Sequence, residues 1–289
     1  MATENHRQEQ SSTYFVADRF KKDELVRLQI QDRLLTTGMG GILPEQPNPE
    51  RFRQVLDVGC GTGGWLIEAA KTYPTMSLLA GADSSSRMIE FARAQAEAQQ
   101  VSNRVEFAVM DALRMLEFPD AFFDLINQRL SISYLRTWDW SKLLGEYRRL
   151  LRPGGVIRIV EPEVVPTTSS AALTELFTLL LNAFYQAGHV FTLASDGLTS
   201  QLPSLLEKKY GFRQVETRVS SMTHHGGTPE AQQGYEDLKS LFRTIVPFLQ
   251  KWTRFPDQYE EIYQQALHDM QQPDFTFHSR IITLWGMHA

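Results

Sequence analysis

The stretch Val55-Leu56-Asp57-Val58-Gly59-Cys60-Gly61-Thr62-Gly63-Gly64-Trp65 constrains this chain more than any other. An apolar run ends in a carboxylate and a glycine-rich turn, and Leu66 to Ala70 follow with helical character. That order reads as strand, tight loop and helix N-terminus. Glycine lets the backbone turn sharply and lets a ligand approach the main chain. Free amide N–H groups at a helix start favour a carboxylate or phosphate. The loop therefore predicts a nucleotide-like cofactor. Gly59, Gly61 and Gly64 also satisfy G-x-G-x-x-G, the dinucleotide fingerprint, so the loop alone does not choose among cofactors. A glycine-rich turn without a ligand is the bland alternative.

Three further signals narrow the choice. Leu78-Leu79-Ala80-Gly81-Ala82-Asp83 is a second apolar run ending in an acid, about one strand–helix–strand unit after Asp57. A carboxylate at that strand tip can accept both hydroxyls of a ribose, through charge-assisted bonds worth roughly 1.5–3 kcal/mol each. NAD enzymes place an acid here too, so Asp83 supports an adenosine ligand without naming it. It also fits an N-cap for a helix over Ser86 to Gln99. Next, Val105-Glu106-Phe107-Ala108-Val109-Met110-Asp111-Ala112 alternates and ends in another acid. Asp111 could accept an adenine amino group while Met110 covers the ring; a plain turn aspartate is the alternative. Finally, Leu150-Leu151-Arg152-Pro153-Gly154-Gly155 leads into Val156 to Val160, in the order helix, turn, buried strand.

As a set, Asp57-Val58-Gly59-Cys60-Gly61-Thr62-Gly63, Asp83, Asp111-Ala112, Phe122-Phe123-Asp124-Leu125-Ile126 and Leu151-Arg152-Pro153-Gly154-Gly155 resemble the class I S-adenosylmethionine-dependent methyltransferases. The resemblance covers residues 50 to 162. It is nearest to small-molecule methyltransferases of secondary metabolism, where Gln31-Asp32-Arg33-Leu34-Leu35 ahead of Gly38-Met39-Gly40-Gly41 is also familiar. It implies an α/β, Rossmann-like, doubly wound sheet of seven strands, mostly parallel with the last antiparallel, carrying helical lid insertions. It implies S-adenosyl-L-methionine as cofactor and S-adenosyl-L-homocysteine as product. Around that cofactor it places Tyr14, Asp57, Gly59, Cys60, Gly61, Gly63, Asp83, Ser84, Met88, Met110, Asp111, Ala112, Gln128 and Arg129. In those roles the loop backbone approaches the methionine portion, Asp57 takes its amino group and Asp83 the ribose. Met110 and Asp111 then meet the adenine. Arg129 either pairs with the methionine carboxylate or forms a structural salt bridge, and Tyr14 caps the site.

Composition excludes several other classes. A formal charge of −5 over 289 residues argues against binding a nucleic-acid backbone. Hydrophobic residues at 42% and charged residues at 22% suit a soluble globular protein with a large core. Cys60 is the only cysteine, so no intramolecular disulfide forms, and its place in the loop marks a small filler rather than a nucleophile. Met1 to Thr13 lacks a signal-peptide core, and the most apolar run, Leu173 to Phe184, is too short for a bilayer. A cytoplasmic enzyme without a membrane partner is the expectation.

Three regions follow. Residues 1–49 form an N-terminal helical segment covering the site, with a helix over Tyr14 to Thr37. Residues 50–162 form the cofactor-binding core. Residues 163–289 hold the last strands, Gly211 to Ser221 and Phe275 to Met287, and two insertions at about 164–206 and 226–274. Both insertions emerge at the edge where ligands sit in open α/β sheets. Leu173, Leu176, Leu180 and Phe184 make one helical face; Leu238, Leu241, Phe242, Ile245, Leu249 and Trp252 make another, with a kink expected at Pro247. Tyr259, Ile262, Tyr263, Ala266 and Met270 make a third. These stripes suit core packing or a homodimer interface. The sharper reading is a lid with Leu179, Phe184, Phe242 and Trp252 against an apolar acceptor.

Methyl transfer needs alignment and water exclusion, and oxygen or nitrogen acceptors often need a base as well. His189, His224, the adjacent His225 and Glu161, at the end of the fifth strand, are the catalytic candidates. No spacing suggests a metal site. The leading function is methylation of an O, N or C atom of a small, partly apolar metabolite. An NAD-dependent oxidoreductase is the alternative, but it leaves Asp111 and the Leu151–Gly155 turn without a role. A non-catalytic cofactor-binding protein is another. Asn127-Gln128-Arg129-Leu130 departs from the Asp/Asn-Pro-Pro-Tyr signature of amino-methylating DNA enzymes.

Overall fold

The computed structural model describes residues 22–289, so Tyr14 and the first part of the expected N-terminal helix lie outside the described residues. Helix α1 (Lys22–Gly38) precedes a linker and then strand β1 (Gln54–Val58). Strand and helix alternate from there: α2 (Gly64–Thr72), β2 (Leu78–Asp83), α3 (Ser86–Ala98), β3 (Val105–Val109), β4 (Phe123–Arg129), α4 (Trp140–Leu150) and β5 (Leu151–Pro162). These strands pair in parallel in the order β3-β2-β1-β4-β5. β1, β2 and β4 are short runs buried on both faces, as parallel strands covered by helices must be.

The sheet ends in a long antiparallel hand-over. β8 (Thr276–Met287) lies antiparallel between β5 and β7 (Arg213–His225). Among the described residues the sheet has eight strands rather than the expected seven, because β8 outruns its partner. Its residues Ile281–Met287 pair with β5, and Phe277 and His278 extend past Pro162 to pair with a two-residue strand, β6 (Thr167–Thr168). The Pro153-Gly154-Gly155 turn falls inside β5 as an irregularity, with Gly154 at φ +78° and a register shift opposite Phe123 and Leu125. Asp124 stitches that end of the sheet. Its Oδ2 accepts from the amides of Arg53 (2.6 Å) and Gln54 (2.9 Å), and Arg152 pairs with its Oδ1.

The first insertion holds α5 (Ala171–Ala187), opened by the Ser170 side chain accepting from Leu173 N (3.0 Å) and closed by left-handed Gly188. A short α6 (Leu202–Ser204) runs on into a π-turn. The second insertion holds α7 (Pro229–Thr244), α8 (Val246–Trp252) and α9 (Tyr259–Asp269). The kink expected at Pro247 is a full break: α7 stops at Thr244 and Pro247 sits in the first turn of α8. Its missing N–H costs nothing there. The apolar stripes pack within the chain. Phe177 meets Phe242 edge to face at 5.1 Å, and the Tyr259 hydroxyl donates to Phe242 O at 2.6 Å. Leu176, Leu180, Leu241, Ile245, Leu249 and Tyr263 join one core with Leu56, Ile126, Leu143 and Tyr147. A second core lies on the opposite face of the sheet, around Val55, Trp65, Leu66, Phe107 and Leu125.

Candidate active site

The C-terminal edge of β1, β2 and β4 gathers the functional side chains. Gly59, Gly61 and Gly63 all take left-handed φ (+71°, +52° and +76°), a conformation costly for other residues. Gly59 N and Cys60 N both donate to Ala82 O (2.8 and 3.1 Å), which pins the loop to β2. Asp83 adds a second pin: one carboxylate oxygen accepts from Gly61 N (3.0 Å) and the other from Ser85 N (2.9 Å). The N-cap of α3 is Ser85, whose hydroxyl accepts from Met88 N (3.4 Å), so the N-cap reading of Asp83 is corrected. A Cβ at Gly63 would press on Phe107 and Ala92, whereas one at Gly61 would meet nothing within 4 Å among the described residues. The loop is thus tight beneath and open above. Burial pushes the Cys60 thiol well up, which keeps it protonated and unreactive.

A second loop faces the first. After β4, Leu130 takes a left-handed φ (+55°) and Ser131–Ser133 make a single 3-10 turn. Glu161 holds that turn: one oxygen accepts from Ser131 N (2.7 Å) and from the Ser131 hydroxyl, the other from Ile132 N (3.1 Å). Burial lifts the carboxyl to about 7 even though these bonds oppose the rise. The expectation that Glu161 faces the acceptor is corrected: the residue is fully buried, unlike Asp83, and its oxygens are turned into the loop. The turn aims Tyr134 at the glycine loop, where a Cβ on Gly59 would come within 2.5 Å of the Tyr134 hydroxyl. That buried hydroxyl has no hydrogen-bond partner among the described residues. Its proton is held tightly by burial and by the carboxylates of Glu161, Asp83 and Asp57. A buried unpartnered hydroxyl beside an open glycine backbone is a site that a polar ligand satisfies.

Beneath the loop a polar row crosses the sheet. The registers place Asp57, Asn127 and Arg158 side by side on β1, β4 and β5. Asn127 donates to Asp57 (2.7 Å) and accepts from Arg158 (2.7 Å), and Arg158 grips Glu45 of the linker (2.9 and 3.4 Å). Burial pushes the Asp57 carboxyl up to about 6, while Arg129, Asn127 and Arg158 oppose that rise and Asp32 adds to it. Arg129 is paired with Asp32 of α1, the structural salt bridge of the two readings. Asp32 lies against Gly64 at the start of α2, and Trp65 stands over the guanidinium groups of both Arg129 and Arg158.

The remaining candidates divide. Ser84 and buried Met88 flank the tip of β2, with Met110 and Ala112 beyond the tip of β3. Asp111 closes its own turn by accepting from Leu113 N (2.9 Å), with Arg114 at 3.6 Å. Gln128 points to the opposite face, where the Tyr147 hydroxyl donates to it. His189 is wholly buried between Phe184 and Phe248, beside the backbone of Ile132 and Leu135. Burial and nearby Arg136 push it down to about 3, so it stays neutral and is a weak proton acceptor at pH 7. His224 stacks on Phe277 on β7, four strands from β1, about 19 Å across the sheet at normal strand spacing. His225, beside it, is exposed. The structure therefore brings Asp57, the glycine loop and Asp83 together with Tyr134, and leaves the histidines off the loop. Tyr134, Asp32, Glu45 and Arg158 were not among the residues expected from sequence. Arg158, a charge in the middle of an otherwise apolar strand, was the one readable signal.

Residues 55–155 match a family model described as a methyltransferase domain. The chain is 30% identical over 253 residues to 27-O-demethylrifamycin SV methyltransferase of Amycolatopsis mediterranei, an alignment covering 88% of this chain and 78% of that protein. It is 36% identical over 134 residues to demethylmenaquinone methyltransferase of Deinococcus radiodurans, covering 46% of this chain. The chain spans half the length (50%) of that relative. Phosphoethanolamine N-methyltransferase 2 of Haemonchus contortus, solved with phosphomonomethylethanolamine and S-adenosylhomocysteine, shares the fold at a TM-score of 0.56 and 21% identity, over 96% of this chain and 60% of that one. This chain belongs to the class I S-adenosylmethionine-dependent methyltransferases.

Proposed function

We propose that the protein transfers a methyl group from S-adenosylmethionine to a small, partly apolar metabolite. The observation that carries this reading is the glycine loop, pinned by Asp83 and faced by the Tyr134 hydroxyl, which has no partner among the described residues. When bound there, S-adenosylmethionine supplies an electrophilic methyl group on sulfur. The backbone of Gly59 to Gly63 would hold its methionine portion, with Asp57 near the amino group. Asp83 would hold the ribose, and Met110 and Asp111 the adenine. Tyr134 would present its hydroxyl to the same space. Alignment of the acceptor supplies most of the catalysis, roughly 7–11 kcal/mol in well-oriented cases. The helices α5, α7, α8 and α9 would close over the acceptor and exclude water, so its binding surface would be largely apolar.

Isothermal titration with S-adenosylhomocysteine tests the cofactor assignment. Micromolar binding together with no binding of NADH supports it, and the reverse result overturns it. Turnover of S-adenosylmethionine against a panel of apolar phenols, amines and carboxylic acids then tests the acceptor class. No turnover with any member, in a protein that binds the thioether, would favour a non-catalytic binding protein.

A further inference from the structure

Asp57 ends a continuous chain of buried hydrogen bonds whose other end lies outside every sequence motif. Asn127 has no freedom in this chain. Its amide N–H group is committed to Asp57 and its carbonyl to Arg158, so its orientation is dictated from both sides. Arg158 is committed in turn: its Nε and one terminal nitrogen hold the two Glu45 oxygens, and the side chains of both partners are 1% exposed. Trp65, in the first turn of α2, covers the guanidinium at 6.0 Å and anchors its own indole N–H on Ile42 O at 3.3 Å. A buried ion pair with satisfied bonds is a poor source of stability compared with apolar packing, yet it fixes geometry closely. Polarised chains of this kind pass charge and orientation from one end to the other.

We infer that Arg158, anchored by Glu45, is a positioning residue of the cofactor site: through Asn127 it fixes the orientation and charge of the Asp57 carboxylate at the base of the glycine loop. The inference rests on reading that loop as the cofactor cradle. It makes the linker after α1, which carries Glu45, part of the machinery that sets cofactor affinity. The charges and titratable groups felt at Asp57 come from several elements: Asp32 from α1, Cys60 from the loop, Arg129 from β4, Arg158 from β5, Tyr134 from the opposing loop and, across the sheet, Tyr147 from α4. Of the two cations, Arg129 acts on Asp57 more strongly by charge alone and pairs with Asp32 at the rim, whereas Arg158 is enclosed in the core and reaches Asp57 through the hydrogen bonds of Asn127. An ionised Asp57 suits the ammonium of an amino-acid portion. Affinity should therefore fall as pH drops through the titration of Asp57, and losing Arg158 should start that fall at higher pH.

The test is calorimetric titration of the full chain with S-adenosylhomocysteine between about pH 5 and pH 8. Arg158→Met alone leaves Glu45 buried without its partner, so the double variant Glu45→Met/Arg158→Met removes the pair as a unit and preserves packing. It should bind about tenfold more weakly at pH 7, with the acid loss of affinity moved up by roughly half a pH unit. Arg158→Lys keeps the charge without the fork and should recover part of the affinity. Glu45→Gln, the mildest change, loosens the anchor but leaves Arg158 charged; it should weaken binding at pH 7 by about twofold without moving the acid loss of affinity to higher pH, and serves if the double variant does not fold. Variants that keep the wild-type thermal midpoint without ligand, and also keep wild-type affinity and pH profile, overturn the inference. A wild-type protein that does not bind S-adenosylhomocysteine overturns the cofactor reading instead.

Discussion

The two faces of the central sheet bury polar groups in different ways. Toward α2, Asp57, Asn127 and Arg158 form one unbroken row that crosses three strands and ends on Glu45. Toward α4, the polar groups act locally: Gln128 with Tyr147, and Glu161 with the turn at Ser131 and Ile132. Both sets sit within a few residues of the C-terminal edge. The row ties the strand before the glycine loop to the linker after α1, whereas the local bonds shape the loop that carries Tyr134. A parallel sheet makes this division possible because alternate residues of each strand face opposite layers.

The comparison breaks most sharply at Arg158. Arg158→Met alone should cost about 3–5 kcal/mol in urea denaturation, because it strands a buried carboxylate. Removing Glu45 as well should return most of that loss, and a single variant as stable as wild type would show the row to be slack. On the other face, Glu161→Ala leaves three donors without an acceptor. It should cost about 3 kcal/mol by the same measurement, given roughly 1–3 kcal/mol for a buried donor left unpaired.

The pH dependence sharpens the contrast further. His189 titrates near 3 in the folded protein against an ordinary 6.5. Below 6.5 the unfolded chain takes a proton that the folded chain refuses, so His189 makes stability rise as pH climbs from about 3 to 6.5. His189→Phe removes this term and should gain about 2 kcal/mol at pH 5 relative to its effect at pH 7. Glu161 acts in the opposite sense. Raised from 4.5 to about 7, its carboxyl makes stability fall as pH rises across that interval. Glu161→Gln and His189→Phe should therefore tilt the urea midpoints in opposite directions. The smallest effect on stability is expected at the seam between the faces. Gly61→Ala meets no neighbour among the described residues but must hold a left-handed φ, a cost of about 1 kcal/mol in thermal unfolding. Its loss of S-adenosylhomocysteine affinity should exceed its loss of stability, because the added methyl projects into the space above the loop.

Much of the nucleotide half was legible in the chain. The strand before Gly59, the acid at Asp83 and the strands at 105–109 and 156–160 follow from periodicity and glycine placement, and the antiparallel end of the sheet followed from the family resemblance. Local rules sufficed for the first group because each strand, turn and cap is set by residues next to one another. The eighth strand was not legible, since β6 exists only because β8 is longer than β5. The break at Pro247 was half legible: proline forbids a continuous helix, but whether the chain bends or restarts depends on what packs beneath it. Glu161 was read as a group aimed at the acceptor because it ends a strand at the right edge. Its actual partners, Ser131 and Ile132, are 30 and 29 positions away and invisible to spacing.

By itself the sequence determined that this chain builds a glycine loop at a strand tip with acids on the neighbouring strands. Those features depend on backbone freedom and hydrophobic alternation, which act over a few residues. Only the tertiary structure decided which charges meet. Glu45 finds Arg158 across 113 positions, Asp32 finds Arg129 across 97, and Tyr134 reaches Gly59 from a different loop. Such pairings follow from strand register and from where α1 and the linker lie against the sheet. They are fixed by the requirement that every charge taken out of water find a partner, a condition that can be satisfied only once the whole core has formed.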